Sequence, residues 1–576
     1  MIEVKEHIYD DDPRDGPPDV KTALRDVEYF FLGNGLIQAA VQWARGGEGT
    51  PLGLLVMDPE YLGKKREALT MDPSEGLAPT RLEIRGDSSR VFLPGGSGLA
   101  VAWDERGGVP AARAEWRGEG FAVSERFFVP GRDESELVRE VEIANLSGGR
   151  RRLHVRTGVP RCRLERTVVL GREERQTLFL AYVLDPAARA ISLEIREKAE
   201  IPEATRAYRR SLAETSFGHP LLDHFFRAAR AQLPAAVSRT GRADGSIWQY
   251  NREWLRDQSV VAQALAVLGE RGLARTMFGR LFAEFVTDEG GAVDSSERRH
   301  PDEVELDQNG FLLHAFRRYV LWTGDRDAIG EHWQKIAAAA EFPLRPVFRH
   351  GPSGLLANRR EFWERHRVHG IEPGLELAHQ LYVSVGLEAA ASLARMTGRP
   401  DKAARWEAEA RRLKTAVLED PVFRMVDNRG FIKRRGLDGL VQERINPWPE
   451  AGLPAEAPLR AEAEHFLHPD ASAALPLALE FVPMGSPLVS LTLSSLETLW
   501  NQAWTGGGYG RYHFTSEPDS AGPWPFPSLF VARAAVEAGD FDKAWRVLEW
   551  LNSLPGGKAG AWFEFYGDRI APPFPQ

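Results

Sequence analysis

The sequence contains a single cysteine, Cys162. An intramolecular disulfide is therefore excluded, and no Cys/His grouping has the spacing of a zinc site. No run of about 18 apolar residues occurs, so no transmembrane helix is expected. The N-terminus, M-I-E-V-K-E-H-I-Y-D-D-D-P, is acidic and lacks an apolar stretch. It does not read as a secretory signal, and the cytoplasm is the expected compartment. A basic excess is also missing: 73 Lys and Arg stand against 82 Asp and Glu, a formal net charge of −9. The clustered basic face of a nucleic-acid-binding protein is therefore not expected. No strict internal repeat is visible.

At 576 residues the chain exceeds one ordinary core, and two or more structural units are expected. Sixteen Trp and eleven Tyr supply flat apolar faces with a polar handle, which suit sugar rings and equally a large core. The first two hundred residues read as β. Leu36–Trp43, Thr80–Ile84, Leu137–Ile143, Leu153–Thr157 and Ala190–Ile195 alternate or are rich in β-branched residues, with Gly-rich turns between them. From about Ser211 the period becomes helical. Segments at 217–237, 255–270, 272–287, 307–323, 327–342, 374–397, 401–418, 470–481, 487–502, 526–538 and 541–553 give about eleven helices. Short turns alternate with long loops rich in Trp, Gly and charge, at 238–254, 288–306, 346–373, 419–469, 503–525 and 554–576. Such alternation suits a toroid of helical hairpins whose long loops build a site on one face. The expected fold is multidomain: an N-terminal antiparallel β-sandwich over 1–210, then an (α/α)6 barrel over 211–576.

The long loops hold the candidate site residues. In I-W-Q-Y-N-R-E-W-L-R-D-Q-S (247–259), Arg256 and Asp257 open an apolar helix behind Tyr250 and Trp254. Asp257 there compensates a helix dipole; the Arg–Asp pair among aromatics also suits a sugar clamp. In R-R-E-F-W-E-R-H (359–366), Glu364 follows Trp363. A carboxyl beside Trp in a partly apolar cleft has its pKa raised toward that of a general acid, whereas a solvated surface Glu fits the charge-rich loop equally. In W-T-G-G-G-Y-G-R-Y-H-F (504–514), three glycines permit close backbone approach, and Arg511 lies between Tyr509 and Tyr512. Asp307 stands where a helix cap is required. The closing A-W-F-E-F-Y-G-D-R-I sets Glu564 among Trp562, Phe563, Phe565 and Tyr566.

These blocks, in this order, resemble glycoside hydrolase family 15, the glucoamylases and glucodextranases. The resemblance covers about 210–576. Y-N-R-E-W-L-R-D is similar to the family's Tyr-x-Trp-x-Arg-Asp loop, which implies that Arg256 and Asp257 bind the non-reducing glucose beside Tyr250 and Trp254. F-W-E resembles the family's acid motif and implies Glu364 as general acid beside Trp363. G-Y-G-R-Y…G-P-W implies that Arg511 lines the cleft, and Asp307 resembles a family position near the cleft as well as a helix cap. Glu564, beside Trp562, falls at the position of the catalytic base. F-F-L-G-N-G-L-I (30–37) also resembles the sandwich that precedes such toroids in bacterial glucoamylases and sugar phosphorylases.

The implied chemistry is inverting hydrolysis of α-glucosides of the maltose, isomaltose or dextrin class. One carboxylic acid protonates the glycosidic oxygen and the other carboxylate activates water on the opposite face, with the carboxyl groups roughly 6.5–9.5 Å apart. No metal or organic cofactor is needed, and the expected partner is a small α-glucoside or oligosaccharide. The sequence does not specify an oligomeric state. Two features depart from the family pattern. Arg365 replaces a second Glu found in fungal members, which bears on the next sugar subsite, and the sequence stops at Gln576, where the family continues into a further helix. Two alternatives stand beside hydrolysis: a glycoside phosphorylase of the same architecture, and a carbohydrate-binding relative without turnover.

Overall fold

The computed structural model describes residues 26–45, 50–61, 68–86, 90–95, 98–247, 253–292, 304–363, 365, 370–445, 467–501, 506–512 and 522–566. The N-terminal part is built from β1 (Val27–Gly33), β2 (Gln38–Ala44), β3 (Leu52–Met57), β4 (Glu83–Arg85), β5 (Val91–Phe92), β6 (Ala100–Arg106), β7 (Val109–Gly118), β8 (Phe121–Phe128), β9 (Glu136–Asn145), β10 (Arg151–Val159), β11 (Cys162–Leu170), β12 (Arg175–Asp185) and β13 (Ala190–Arg196). A six-stranded antiparallel sheet, β13-β12-β9-β8-β7-β6, faces a four-stranded one, β11-β10-β4-β5. Their apolar faces share one core that includes Leu82, Ile84, Val123, Val141, Val155 and Leu180.

β1, β2 and β3 form a separate antiparallel sheet. Almost every residue in it is buried, because both of its faces are covered. Phe30, Leu32, Val41 and Leu54 join the sandwich core, while Val27, Tyr29, Ala40 and Leu55 join the core of the helices that follow. Successive side chains of a strand point to opposite faces, so this sheet is a layer common to both halves of the molecule. Asn34 pins its first hairpin. The side-chain oxygen accepts from Leu36 N and Ile37 N, and the amide donates to Gly131 O and Glu134 O.

The helices are α1 (Glu203–Ser211), α2 (Pro220–Gln232), α3 (Leu255–Val267), α4 (Arg271–Arg280), α5 (Asp307–Thr323), α6 (Asp327–Glu341), α7 (Leu377–Met396), α8 (Pro400–Glu419), α9 (Leu475–Ala478), α10 (Pro487–Leu496), α11 (Pro525–Glu537) and α12 (Phe541–Ser553). α1, a strongly charged helix that buries only Thr205, begins before Ser211, where the helical period becomes legible. α3 packs on α5, α5 on α7, α7 on α9 and α9 on α11, while α4, α6, α8 and α12 each pack on the helix before them. The first set is inner and the second outer. α7 is accordingly buried along nearly its whole length, whereas α8 and α12 bury one stripe.

Among the expected helices, 487–502 ends at Leu496 and 272–287 passes into a π turn at Leu281–Phe285, while two others differ in kind. The segment 470–481 is a 3-10 turn, Ala471–Ala474, followed by the short α9. Pro476 has no N–H and its ring would collide with the carbonyl of Ser472 in a continuous helix. The start of 374–397 is extended instead: Gly374–Glu376 pairs antiparallel with Arg434–Gly436. α7 begins only at Leu377.

α5 and α7 approach most closely at two glycines. A Cβ on Gly310 would fall 1.9 Å from Tyr382 O, and one on Gly386 would fall 2.6 Å from Gly310 Cα. Both contacts are with backbone, which cannot swing away. Gly310→Val is expected to destabilise the protein by about 3 kcal/mol or more, the upper end of overpacking costs. Urea unfolding measures this; a wild-type midpoint would contradict the close approach.

Candidate functional site

The N-termini of the inner helices meet at one end. Trp254 precedes α3, whose first turn holds Asp257; Asp307 opens α5; Glu376 immediately precedes α7; and Trp524 precedes α11. Asp470 caps the turn into α9, accepting from Ser472 N at 2.8 Å. The exposed N–H groups at such ends carry partial positive charge, which favours carboxylates there. Asp307, however, is the first residue inside α5, behind Leu306 at the N-cap, and makes no capping hydrogen bond. Its Oδ1 lies 3.3 Å from Nε2 of His379, in the first turn of α7. Burial, reinforced by Asp307, pushes the Tyr382 hydroxyl well above its ordinary range, with Arg256 opposing.

Beneath this end lies a buried cluster that sequence reasoning missed. Lys433 is fully buried, its Nζ 2.6 Å from Glu361, 3.0 Å from Asp470 and 3.7 Å from Glu376. Burial alone would lower the Lys433 pKa, but the three carboxylates outweigh it and hold the ammonium above its usual value. Burial would likewise raise Glu361, yet Lys433 and Arg365 hold that carboxyl below the usual range. Glu376 is raised by burial, with Lys433 and Arg434 opposing. Arg434 pairs with Glu376 at 3.2 Å and donates to Asn358 O and Glu372 O. It thereby straps the 358–376 loop down.

That loop presents Phe362 and Trp363. Phe362 lies parallel to Phe311 and Tyr382, with centroids 6.5 and 6.4 Å away. Trp363 Nε1 donates to both oxygens of Asp470, at 2.9 and 3.1 Å. Arg365 N donates to Glu361 Oε1 and the Arg365 guanidinium stacks on Tyr512 at 3.7 Å. Glu364, the candidate acid, and Tyr250 lie outside the described residues.

A continuous series of ring and guanidinium contacts runs across the site. Arg256 lies 5.7 Å from the Phe362 ring, and Phe362 meets Trp363 edge-on at 4.6 Å. Arg511 lies 5.4 Å from Trp363 and stacks on Trp524 at 3.7 Å. Trp524 packs on Phe565 at 5.0 Å, and Phe565 adjoins Glu564. Arg256 Nε lies 3.4 Å from Asp257 Oδ2; burial raises the Asp257 carboxyl and Arg256 opposes it. Glu564 is buried. Its segment is fixed by Tyr566, whose N–H donates to Pro523 O and whose hydroxyl donates to Pro555 O and accepts from Phe563 N. Trp562 points the other way, with Nε1 on Leu551 O and its ring edge-on to Phe225.

At Gly508 the protein itself occupies the space beside the backbone. A Cβ on Gly508, at φ +85°, would meet the Trp550 ring at 2.3 Å and Pro523 at 2.5 Å. The turn is pressed against its own aromatic packing. Among the described residues no three His, Cys, Asp or Glu side chains gather as metal ligands, and no helix is long and apolar enough to cross a membrane.

The fold is similar to that of a bacterial glucoamylase crystallised with acarbose, with a TM-score of 0.58 and 12% identity over 97% of this chain and 93% of that one. That likeness gives an N-terminal β domain followed by a helical domain. A structure called wild-type glycosidase gives a TM-score of 0.45 at 16% identity, over 63% of this chain and 95% of that one. A rhamnosidase from Klebsiella oxytoca with rhamnose bound gives 0.43 at 12%, over 96% and 94%. No family profile matches the sequence, and it has no match among curated proteins.

Removing the Lys433 charge leaves Glu361 and Asp470 buried without their cation. Lys433→Met is expected to cost about 3–5 kcal/mol of stability, as for other buried pairs broken on one side. Chemical denaturation reads this out, and an unchanged stability would contradict the ammonium's role.

Proposed function

We propose that this protein is a glycoside hydrolase of the six-hairpin type that releases glucose from the non-reducing end of α-glucosides with inversion. The observation that carries the reading is the unbroken contact series from Arg256 through Phe362, Trp363, Arg511 and Trp524 to Phe565. It joins four blocks that are far apart in the sequence and ends beside Glu564. The likeness of the whole chain to a bacterial glucoamylase supports the reading, as does the alternation of inner and outer helices, which we extend to a closed (α/α)6 barrel.

In this reading a glucose ring lies against Trp363, and its hydroxyls face Arg256, Asp257 and Arg511. Arg511 stacks its flat face on Trp524 and lies 3.4 Å from the Tyr512 hydroxyl through Nη2, and a planar guanidinium of this kind suits the recognition of oxygen acceptors. Glu364 in its protonated form gives its proton to the glycosidic oxygen as the bond to the anomeric carbon breaks. Glu564 takes a proton from the water that attacks that carbon from the opposite face. Both carboxyl groups return to their starting states once Glu564 passes its proton on through solvent to Glu364. The released sugar carries the inverted, β, configuration.

Glu364→Gln and Glu564→Gln are each expected to lower kcat on maltose or isomaltose by about 10²–10⁴-fold, the range of a general acid or base. NMR of the wild-type reaction is expected to show β-glucose first. A variant with wild-type turnover, or α-glucose as the first product, would overturn the assignment. Release of glucose 1-phosphate only when phosphate is present would assign the site to phosphorolysis.

A further inference from the structure

The loop that carries Glu564 does not rest on the helical domain alone. It leaves α12 at Leu554 and turns tightly, with Gly557 N on Leu554 O, Gly560 N on Gly556 O and Ala561 N on Gly556 O. At the apex, Ala559 inserts its methyl group into the sandwich core and is fully buried there. Its peptide groups are satisfied by side chains from three separate elements. Ala559 N–H donates to Glu28 Oε2 on β1 at 2.9 Å. Ala559 O accepts from Trp103 Nε1 on β6 at 2.8 Å and from Gln232 Nε2 at the end of α2 at 2.7 Å. Gln232 also accepts from Phe31 N on β1 and donates to Gly560 O, so it bridges strand and loop. Beside this group the Lys558 ammonium lies over Trp43, which pairs with Glu28 across β1 and β2.

Glu28 is the unusual member. It is wholly buried, and its other oxygen lies 3.2 Å from the Arg45 guanidinium. Burial raises its pKa above the ordinary carboxylate value, although the amides of Ala559, Gly556 and Lys558, together with Arg45, favour the charged form. A buried carboxylate is a poor stabiliser when a packed apolar side chain could fill the same space. The hydrogen bond from Ala559 N–H gives it another use: it fixes the position of one turn of chain.

We propose that Glu28 of the N-terminal β domain is a positioning residue for Glu564, so that the sandwich is a working part of the site. The proposal rests on the reading of Glu564 as the base. Four residues separate the clamped Ala559 from Glu564, and on the far side Tyr566 is tied to Pro523 and Pro555. Glu564 is thus held between two fixed points, one in each domain.

The test compares wild type with Glu28→Leu, Glu28→Gln and Trp103→Phe, with activity normalised to folded protein by circular dichroism. Gln keeps one acceptor for Ala559, and Phe keeps the ring that packs on Phe30 while losing the donor to Ala559 O. Glu28→Leu is expected to lower kcat on maltose or isomaltose by about 10–100-fold with little change in KM, the effect of a displacement near 1 Å at a catalytic group. Glu28→Gln and Trp103→Phe are expected to fall between it and wild type. The acidic limb of the kcat profile, which reports the base in the complex, is expected to shift in Glu28→Leu, and amides 556–566 to exchange faster with deuterium. Variants that lose thermal stability but keep wild-type kcat and pH profile per folded molecule would overturn the positioning role. If Glu28→Leu does not fold, Trp103→Phe decides by the same criteria. A wild type inactive on every α-glucoside would instead overturn the reading of Glu564 itself.

Discussion

Asp470 accepts two bonds from the Trp363 indole, one from Lys433 and one from the backbone of Ser472. Its own backbone pairs with Tyr512, and the next amide, Ala471 N, donates to Arg511 O. One carboxylate therefore sets the position of the Trp363 loop and the Arg511 loop together. Both are loops whose backbones would otherwise have many states, and fixing one residue costs about 1–2 kcal/mol in conformational entropy. The charge of Asp470 is tolerable only because Lys433 lies within reach, and Lys433 is tolerable only because Glu361 and Glu376 share it. Trp363, Arg511 and the walls they build depend on that group remaining intact.

The helical framework places this group without further devices. Inner helices that run the same way bring their N-termini to one end, and partial positive charge gathers there. Asp257, Asp307, Glu376 and Asp470 all sit at those ends. Arginines and the lysine neutralise what the helix ends do not. Carboxylates gathered in this way, with burial raising Asp257 and Glu376, are the raw material of acid and base catalysis. The sheet of β1, β2 and β3 then joins the sandwich to the same framework, since each of its faces belongs to a different core.

Much of this framework is legible in the sequence. α5 and α12 fall where the apolar period and the Gly and Asp turns set them, and the long loops are marked by Trp beside charge. The order of strands and then helices follows from the change of period. The exceptions have local causes, such as Pro476 breaking the 470–481 segment. The partnerships inside the site are a different matter. Nothing in the sequence singles out Lys433, or Asp470 at the start of the expected 470–481 helix. Their partners lie 37 residues apart for Lys433–Asp470 and 107 for Trp363–Asp470. Glu28 meets Ala559 across 531 residues. No periodicity extends over such separations, so these contacts are visible only once the chain is folded. Asp307 shows the converse, because a local rule accounted for it as a cap and the fold turned its side chain to His379.

The central claim is that Arg256, Trp363, Arg511 and Glu564 face one sugar ring with Glu364 across from Glu564. A crystal structure with a glucose-sized inhibitor bound tests it most directly. The ring is expected between Arg256 and Arg511 and against Trp363, with the carboxyl groups of Glu364 and Glu564 on opposite sides and roughly 6.5–9.5 Å apart. An inhibitor bound elsewhere, or two carboxyl groups directed into different cavities, would contradict the account.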